Sequence, residues 1–262
     1  GDEKEAGTAF YRDSYMGVAT PFGAIEFGRT GALTAGTHGG IVGGMSPFGI
    51  TWKEGALTKI FAGNIAARLN NMVKYESPDL SGFKLYAQYS NGVDDDDVVS
   101  SQKNRYIAVG ATYRYKNLRL IAAFDNLFYN DSAVKTDAGV AAGKDLKDQR
   151  TYNIGGTYDF GDVRMYLGYQ YGQNIKTPRQ GDAKAIAAAK YDSKDSKAAE
   201  GYDTNAVTLG TKIKLFGGEL NGTLGYAHAK RDFNDSKADV YQAMVGYKYP
   251  ISKRTYAYGA LG

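Results

Sequence analysis

Cysteine is absent from the 262 residues, which removes disulfides, thiolate metal sites and cysteine nucleophiles together. Proline is scarce at 5 and tryptophan occurs once, as Trp52. No uncharged apolar run approaches the roughly 18 residues that a membrane-spanning helix needs. That excludes helical membrane proteins, not membrane proteins, because a β-barrel hides its apolar residues at alternate positions and keeps a low average; here the mean hydropathy is −0.43. The net charge of +4 is too small to argue for nucleic acid. The two histidines, His38 and His228, are far apart in the chain. No glycine-rich phosphate motif follows a strand and opens a helix, so paired glycines read as turns and packing. The opening GDEKEAG lacks the charged-then-apolar pattern of a signal peptide.

What is abundant is tyrosine, at 22, and glycine, at 34. From Tyr11 onward, segments of about ten residues are joined alternately by tight and long connections. The tight ones are at 20–23, 77–82, 116–117, 160–162, 216–218 and 249–252, and each holds Gly, Pro, Asn or Asp, the residues that turns require. The long ones fall at about 32–65, 90–104, 129–149, 173–201 and 230–238. Short turns on one side and long loops on the other are the asymmetry of an outer-membrane barrel.

Each segment alternates with period 2, the half-buried strand signal. Phe83, Leu85, Ala87 and Tyr89 oppose Lys84, Tyr86, Gln88 and Ser90; Val163, Met165, Leu167, Tyr169 and Tyr171 oppose Arg164, Tyr166 and Gln170. Tyrosines such as Tyr113, Tyr158, Tyr247 and Tyr249 cluster beside turns, where an apolar ring and a wet hydroxyl suit a membrane–water interface. A soluble β-sandwich would also favour tyrosine in strands. It would not tolerate so charged a second face as its core. The reading is therefore all-β: a transmembrane antiparallel up-and-down β-barrel in one domain over 1–262. Twelve strands are expected, at 11–19, 22–29, 66–76, 83–90, 104–115, 118–128, 150–159, 162–172, 202–215, 218–229, 239–249 and 253–261.

Several stretches resemble the Gram-negative outer-membrane general (trimeric) porins, beta-proteobacterial type. Tyr11-Arg12-Asp13-Ser14-Tyr15-Met16-Gly17-Val18 resembles the strand that carries a pore-wall arginine. Phe22-Gly23-Ala24-Ile25-Glu26-Phe27-Gly28-Arg29 resembles the strand leading into the inward-folded third loop. Arg68-Leu69-Asn70-Asn71-Met72-Val73-Lys74-Tyr75-Glu76-Ser77-Pro78, then Gly82-Phe83, resembles the strand and turn leaving it, and Lys253-Arg254-Thr255 the turn before the penultimate strand. The resemblance implies a sixteen-stranded barrel, a homotrimer, and residues 32–65 as a constriction loop inside the lumen. It also implies three strands before residue 11 and one after residue 262, so that this chain alone is an unclosed barrel.

A channel does no bond chemistry; its chemistry is the width and electrostatics of a water-filled hole. Charged positions on the polar faces are Arg68, Lys74, Lys84, Arg114, Arg119, Arg164, Lys212, Lys214 and Lys248 against Glu26, Glu76, Asp125 and Asp159. A low-dielectric wall focuses such an imbalance, which predicts passage of small hydrophilic solutes with a preference for anions. Arg12 matches the pore-wall arginine by motif, but strict parity places it with Met16 and Val18; a bulge near the loop would reconcile the two, and the sequence shows none. Arg29 shares parity with Ile25 and Phe27, so alternation leaves its side open. Within the loop, Glu54 is the single acid among His38, Lys53 and Lys59, so an inward loop predicts a constriction positive on both sides. Trp52 either anchors the loop against the wall or, the favoured reading, packs within it.

The run Asp94, Asp95, Asp96 and Asp97 has the oxygen chemistry to hold Ca²⁺ or Mg²⁺, or to bridge lipopolysaccharide through such ions, although a solvated loop tip explains it as well. No other cofactor is implied. Partners expected are membrane lipid and lipopolysaccharide, not nucleic acid. Residues 182–200 read as a short helix in an external loop, since Ala and Lys favour helix. An enzyme barrel would need a constellation around a histidine; His228 with Asp232 and Asp235 is the candidate, without a serine motif. A channel specific for sugars or phosphate would use the lumen aromatics Tyr86, Tyr106 and Tyr166. A binding or adhesion barrel would use its long loops.

Overall fold

The computed structural model describes residues 13–34, 38–50, 52, 55–61, 68–93, 104–129, 147–175, 201–231 and 237–262. Arg12, Lys53, Glu54, Asp94–Asp97, Asp232, Asp235 and the segment 182–200 lie outside the described residues.

Among the described residues twelve strands form one sheet in chain order, every neighbour antiparallel: β1 (Ser14–Thr20), β2 (Gly23–Thr30), β3 (Leu69–Glu76), β4 (Phe83–Ser90), β5 (Arg105–Tyr115), β6 (Leu118–Phe128), β7 (Gln149–Asp159), β8 (Val163–Ile175), β9 (Tyr202–Leu215), β10 (Gly218–Arg231), β11 (Lys237–Pro250) and β12 (Tyr256–Leu261). This up-and-down order follows from the tight turns. Between β9 and β10, Phe216 and Gly217 have φ of 49° and 75°. Two successive positive φ values match the twist of a two-residue hairpin, and glycine bears its share without strain. β1 and β12 do not pair with each other, so the sheet is open in this chain.

Two kinds of strand boundary differ from expectation for identifiable reasons. The last strand begins at Tyr256, not residue 253, because Ile251 N–H and Ser252 N–H both donate to Thr255 O and close a turn there. β8, β10 and β11 run two or three residues further into their long connections, since backbone pairing continues past the alternating pattern.

The two faces invert the logic of a soluble sheet. Ile154, Leu167 and Leu224 are 62%, 56% and 62% exposed, while Gln88, Gln170, Thr151 and Asp125 on the other face are at most 2% exposed. Large exposed apolar side chains on strand after strand are unfavourable in water and natural against lipid. No described helix is long and apolar enough to cross a membrane.

The polar face is buried because the segment after β2 lies on it. Leu33, Ile41, Val42, Met45, Leu57, Ile60 and Phe61 form one apolar cluster with Tyr106 and Ala108 of β5, Ile121 and Ala123 of β6, Ala206 of β9 and Ala227 of β10. Each of the larger side chains gains about 1.5–3 kcal/mol on full burial. β5 and β10 are separated by five inter-strand steps, about 24 Å in a flat sheet. One compact cluster joins them only because the sheet curls around the loop. The loop keeps its shape through two short 3-10 turns, Val42–Met45 and Leu57–Lys59, and through Leu57 N–H donating to Gly49 O at 3.1 Å.

Candidate functional site

The loop is pinned to the inner face at widely separated strands. Leu33 N–H donates to Gln88 Oε1 of β4 at 2.7 Å, and Gln88 Nε2 donates to Gly31 O at 3.2 Å. At β6, Asp125 accepts from the hydroxyls of Thr34, Thr151 and Tyr106, with Thr151 at 2.5 Å and Tyr106 at 3.2 Å. At β11, Gln242 Nε2 donates to Ala56 O at 2.9 Å. Asp125 is fully buried. It is therefore an anchor and not one of the water-facing charges that its parity suggested; hydroxyl donors make burial of the carboxylate tolerable.

Glycines at inward positions of successive strands make room for the loop. A Cβ on Gly110 would come within 2.8 Å of Ile41 and 2.9 Å of Leu33. One on Gly168 would meet Met45 at 3.1 Å, one on Gly210 would meet Pro47 at 2.5 Å, and one on Gly225 would meet Ile60 at 2.7 Å. These glycines are neither turns nor general packing. They are the groove in which the loop lies, and their alternation in phase with the polar face is visible in the sequence.

At the entry to the loop, the pairing of β2 with β3 shifts between Gly28 and Thr30, and Asn71 adopts φ of 52°. Arg29 sits in this bulge, and its Nη1 donates to Asn70 Oδ1 at 2.5 Å. Arg68 Nε stands 3.0 Å from Asp13. Lys74, expected among the charges on the polar face, is only 3% exposed, lies under the loop at Gly39, and pairs with Glu26 at 2.8 Å. His38 Nε2 meets the same Glu26 oxygen at 3.2 Å and its ring stacks on Tyr15. Arg68 and Lys74 are thus held by carboxylates.

Nearer the tight turns, the inner face is a band of charge. Lys84 pairs with Glu76 at 2.6 Å, Arg164 with Asp159 at 2.5 Å, Lys212 with Glu219 at 2.9 Å and Lys214 with Asp162 at 3.5 Å. Glu219, which alternation places inward, adds an acid to the expected set. Arg114 and Arg119 are different. They stand directly opposite each other on β5 and β6, and among the described residues neither has a carboxylate within ion-pair distance. Arg114 is exposed, Arg119 is half-buried, and Arg119 Nε has no hydrogen-bond partner among the described residues. Like charges directly opposite are unfavourable by themselves. Arg119 also lies against the loop, since a Cβ on Gly44 would meet its Nη1 at 3.0 Å. The aromatics expected to stack on sugars are largely taken by the loop: Tyr106 is 0% and Tyr166 7% exposed, and Tyr86 packs against the apolar cluster.

His228 is not part of this face. Its Nδ1 lies 2.8 Å from Asp239 Oδ1, which also accepts from Tyr226 at 2.6 Å, on the outer surface of β10 and β11. Among the described residues no group of three or more His, Asp or Glu side chains is arranged to hold a metal.

The chain is 26% identical over 277 residues to an outer membrane porin protein of Bordetella pertussis, covering 99% of this chain and 68% of that protein. It is 27% identical to the outer membrane porin protein 32 of Delftia acidovorans, covering 99% of this chain and 65% of that one. Among solved structures, the anion-selective porin from Comamonas acidovorans superposes with a TM-score of 0.63 at 24% identity, over 97% of this chain and 67% of that chain. OmpT of Vibrio cholerae in its trimer form gives 0.62 at 14% identity, over 95% and 68%. The chain thus spans about two thirds of the length of these relatives. The match to the family described as Gram-negative porin runs over residues 1–262, and the chain belongs to that family of outer-membrane channel proteins.

Proposed function

We propose that this chain walls a water-filled outer-membrane channel for passive diffusion of small hydrophilic solutes, and that the channel prefers anions. The observation that carries the preference is the Arg114–Arg119 pair. Six of the nine basic residues that alternation assigns to the inner face have a carboxylate partner; among the described residues, these two and Lys248 do not. Two neighbouring guanidinium groups beside an inward loop and between low-dielectric walls focus a positive field on the water they face. Permeation by electrostatics and width needs no catalytic group, and His228 is engaged with Asp239 beside Tyr226 on the outer face, away from the lumen. The apolar outer face suits lipid, and assembly as a homotrimer agrees with the trimer form of the Vibrio cholerae structure.

The test is the reversal potential of the purified protein across a KCl gradient in a planar bilayer. Anion preference should appear and should weaken as ionic strength rises. Cation preference at low salt would overturn the proposal.

A further inference from the structure

Where the loop meets the last two strands, a cavity of about 310 Å³ opens on the inner face, walled by Pro47, Phe48 and Trp52 of the loop and by Lys248, Tyr256 and Tyr258. Its volume is at the lower end of those that hold a small organic ligand. The indole of Trp52 stacks on Phe48 at 5.3 Å with an interplanar angle of 8°, and tilts toward Tyr258 at 5.6 Å. The Lys248 ammonium stands 4.2 Å from the centre of the Tyr256 ring, and among the described residues no carboxylate lies within ion-pair distance of it. Glu219, directly across the strand pair from Lys248, is already engaged by Lys212 at 2.9 Å.

Phe48, Trp52, Tyr256 and Tyr258 therefore line one slot with Lys248, which has no salt-bridge partner among the described residues, while Lys212 and Glu219, also in the lining, pair with each other. Ring faces attract flat apolar bodies and ring edges, and an ammonium attracts a carboxylate. We infer that this slot is a binding subsite for planar aromatic carboxylates, with the carboxylate on Lys248 and the ring beside Trp52 and Tyr258. The inference rests on the channel reading, because the ligand reaches the slot from the lumen. It goes beyond a preference for anions in general: chloride or acetate would use the Arg114–Arg119 field and have nothing to stack on. A saturated ring of similar size would carry the charge without the flat face.

The experiment uses the full protein in planar bilayers, with benzoate, cyclohexanecarboxylate and acetate as probes. Benzoate should block chloride current in brief, saturable events at a concentration at least about tenfold below cyclohexanecarboxylate, a ratio that corresponds to about 1.4 kcal/mol. Acetate should not block. Lys248→Gln and, separately, Trp52→Leu should each raise the half-blocking benzoate concentration about tenfold. Benzoate should also shift the emission of Trp52, the chain's single tryptophan, with the same half-point as the block. Equal block by benzoate and cyclohexanecarboxylate, or an unshifted half-point in both variants, overturns the subsite while chloride conductance leaves the channel standing. Absence of chloride conductance in the unmodified protein would instead overturn the channel itself.

Discussion

The inner face has two regions built from similar residues that behave in opposite ways. Under the loop, polar groups such as Gln88, Asp125, Thr151 and Gln242 are buried and spent on one another and on loop backbone. Toward the tight turns, Lys84, Arg114, Arg164 and their neighbours remain partly open to water. Alternation marks both regions as polar and cannot separate them. What separates them is whether the loop lies above. A carboxylate beneath it holds structure; a guanidinium beyond its edge sets a field.

The sharpest way to break that contrast is to remove the anchor. Asp125→Leu leaves the hydroxyls of Thr34, Thr151 and Tyr106 without their shared acceptor, at about 1–3 kcal/mol for each buried group left unpaired. We expect a lowered unfolding temperature and a larger, noisier single-channel conductance as the loop comes loose. Unchanged melting and conductance would show that Asp125 does not hold it. Gly210→Phe attacks the same region sterically, because even a Cβ there would sit 2.5 Å from Pro47. Overpacking of this kind costs about 1–3 kcal/mol, and the expected readout is altered conductance with the strand content by circular dichroism retained.

The charged region is tested by selectivity. An ion ~7 Å from each of two arginines feels roughly 0.6 kcal/mol from each at the dielectric of water. At about 0.1 M salt, where screening roughly halves these energies, Arg114→Gln with Arg119→Gln should therefore lower the anion-to-cation permeability ratio on the order of tenfold, since the anion loses what the cation gains. At about 1 M salt, where the field of a charge reaches only about 3 Å, the difference should nearly vanish. The smallest effect is expected from deleting an exposed ion pair whole: Lys84→Gln with Glu76→Gln removes one charge of each sign and should leave reversal potential and stability close to unchanged. A shift as large as that of the arginine pair would mean that ion pairs, not free arginines, set the selectivity.

Much of this was legible in the chain. Period-2 alternation with tight and long connections in turn gives twelve antiparallel strands in order, and the structure has them. The resemblance implied an inward loop at 32–65, and its described part lies on the inner face. The site was less legible. Arg29 stayed ambiguous because the bulge at Gly28–Thr30 shifts parity, and a bulge is invisible to an alternation count. Lys74 looked like a free wall cation because its partner Glu26 is 48 residues away, across a strand pairing. The inward glycines could have been found: Gly110, Gly168, Gly210 and Gly225 all share the parity of the polar face, and removing Cβ there makes sense only if something lies above.

The sequence by itself determined the class of architecture, because strand period and turn chemistry are local and each residue carries its own share of the signal. It also determined that one face would be apolar and the other charged. Only the tertiary structure decided which charges remain free. Free charge is a property of pairs, set by register and by what covers them, and the groups that neutralise Lys74, bury Asp125 or leave Arg114 beside Arg119 come from segments that meet only when the sheet has curled around its loop.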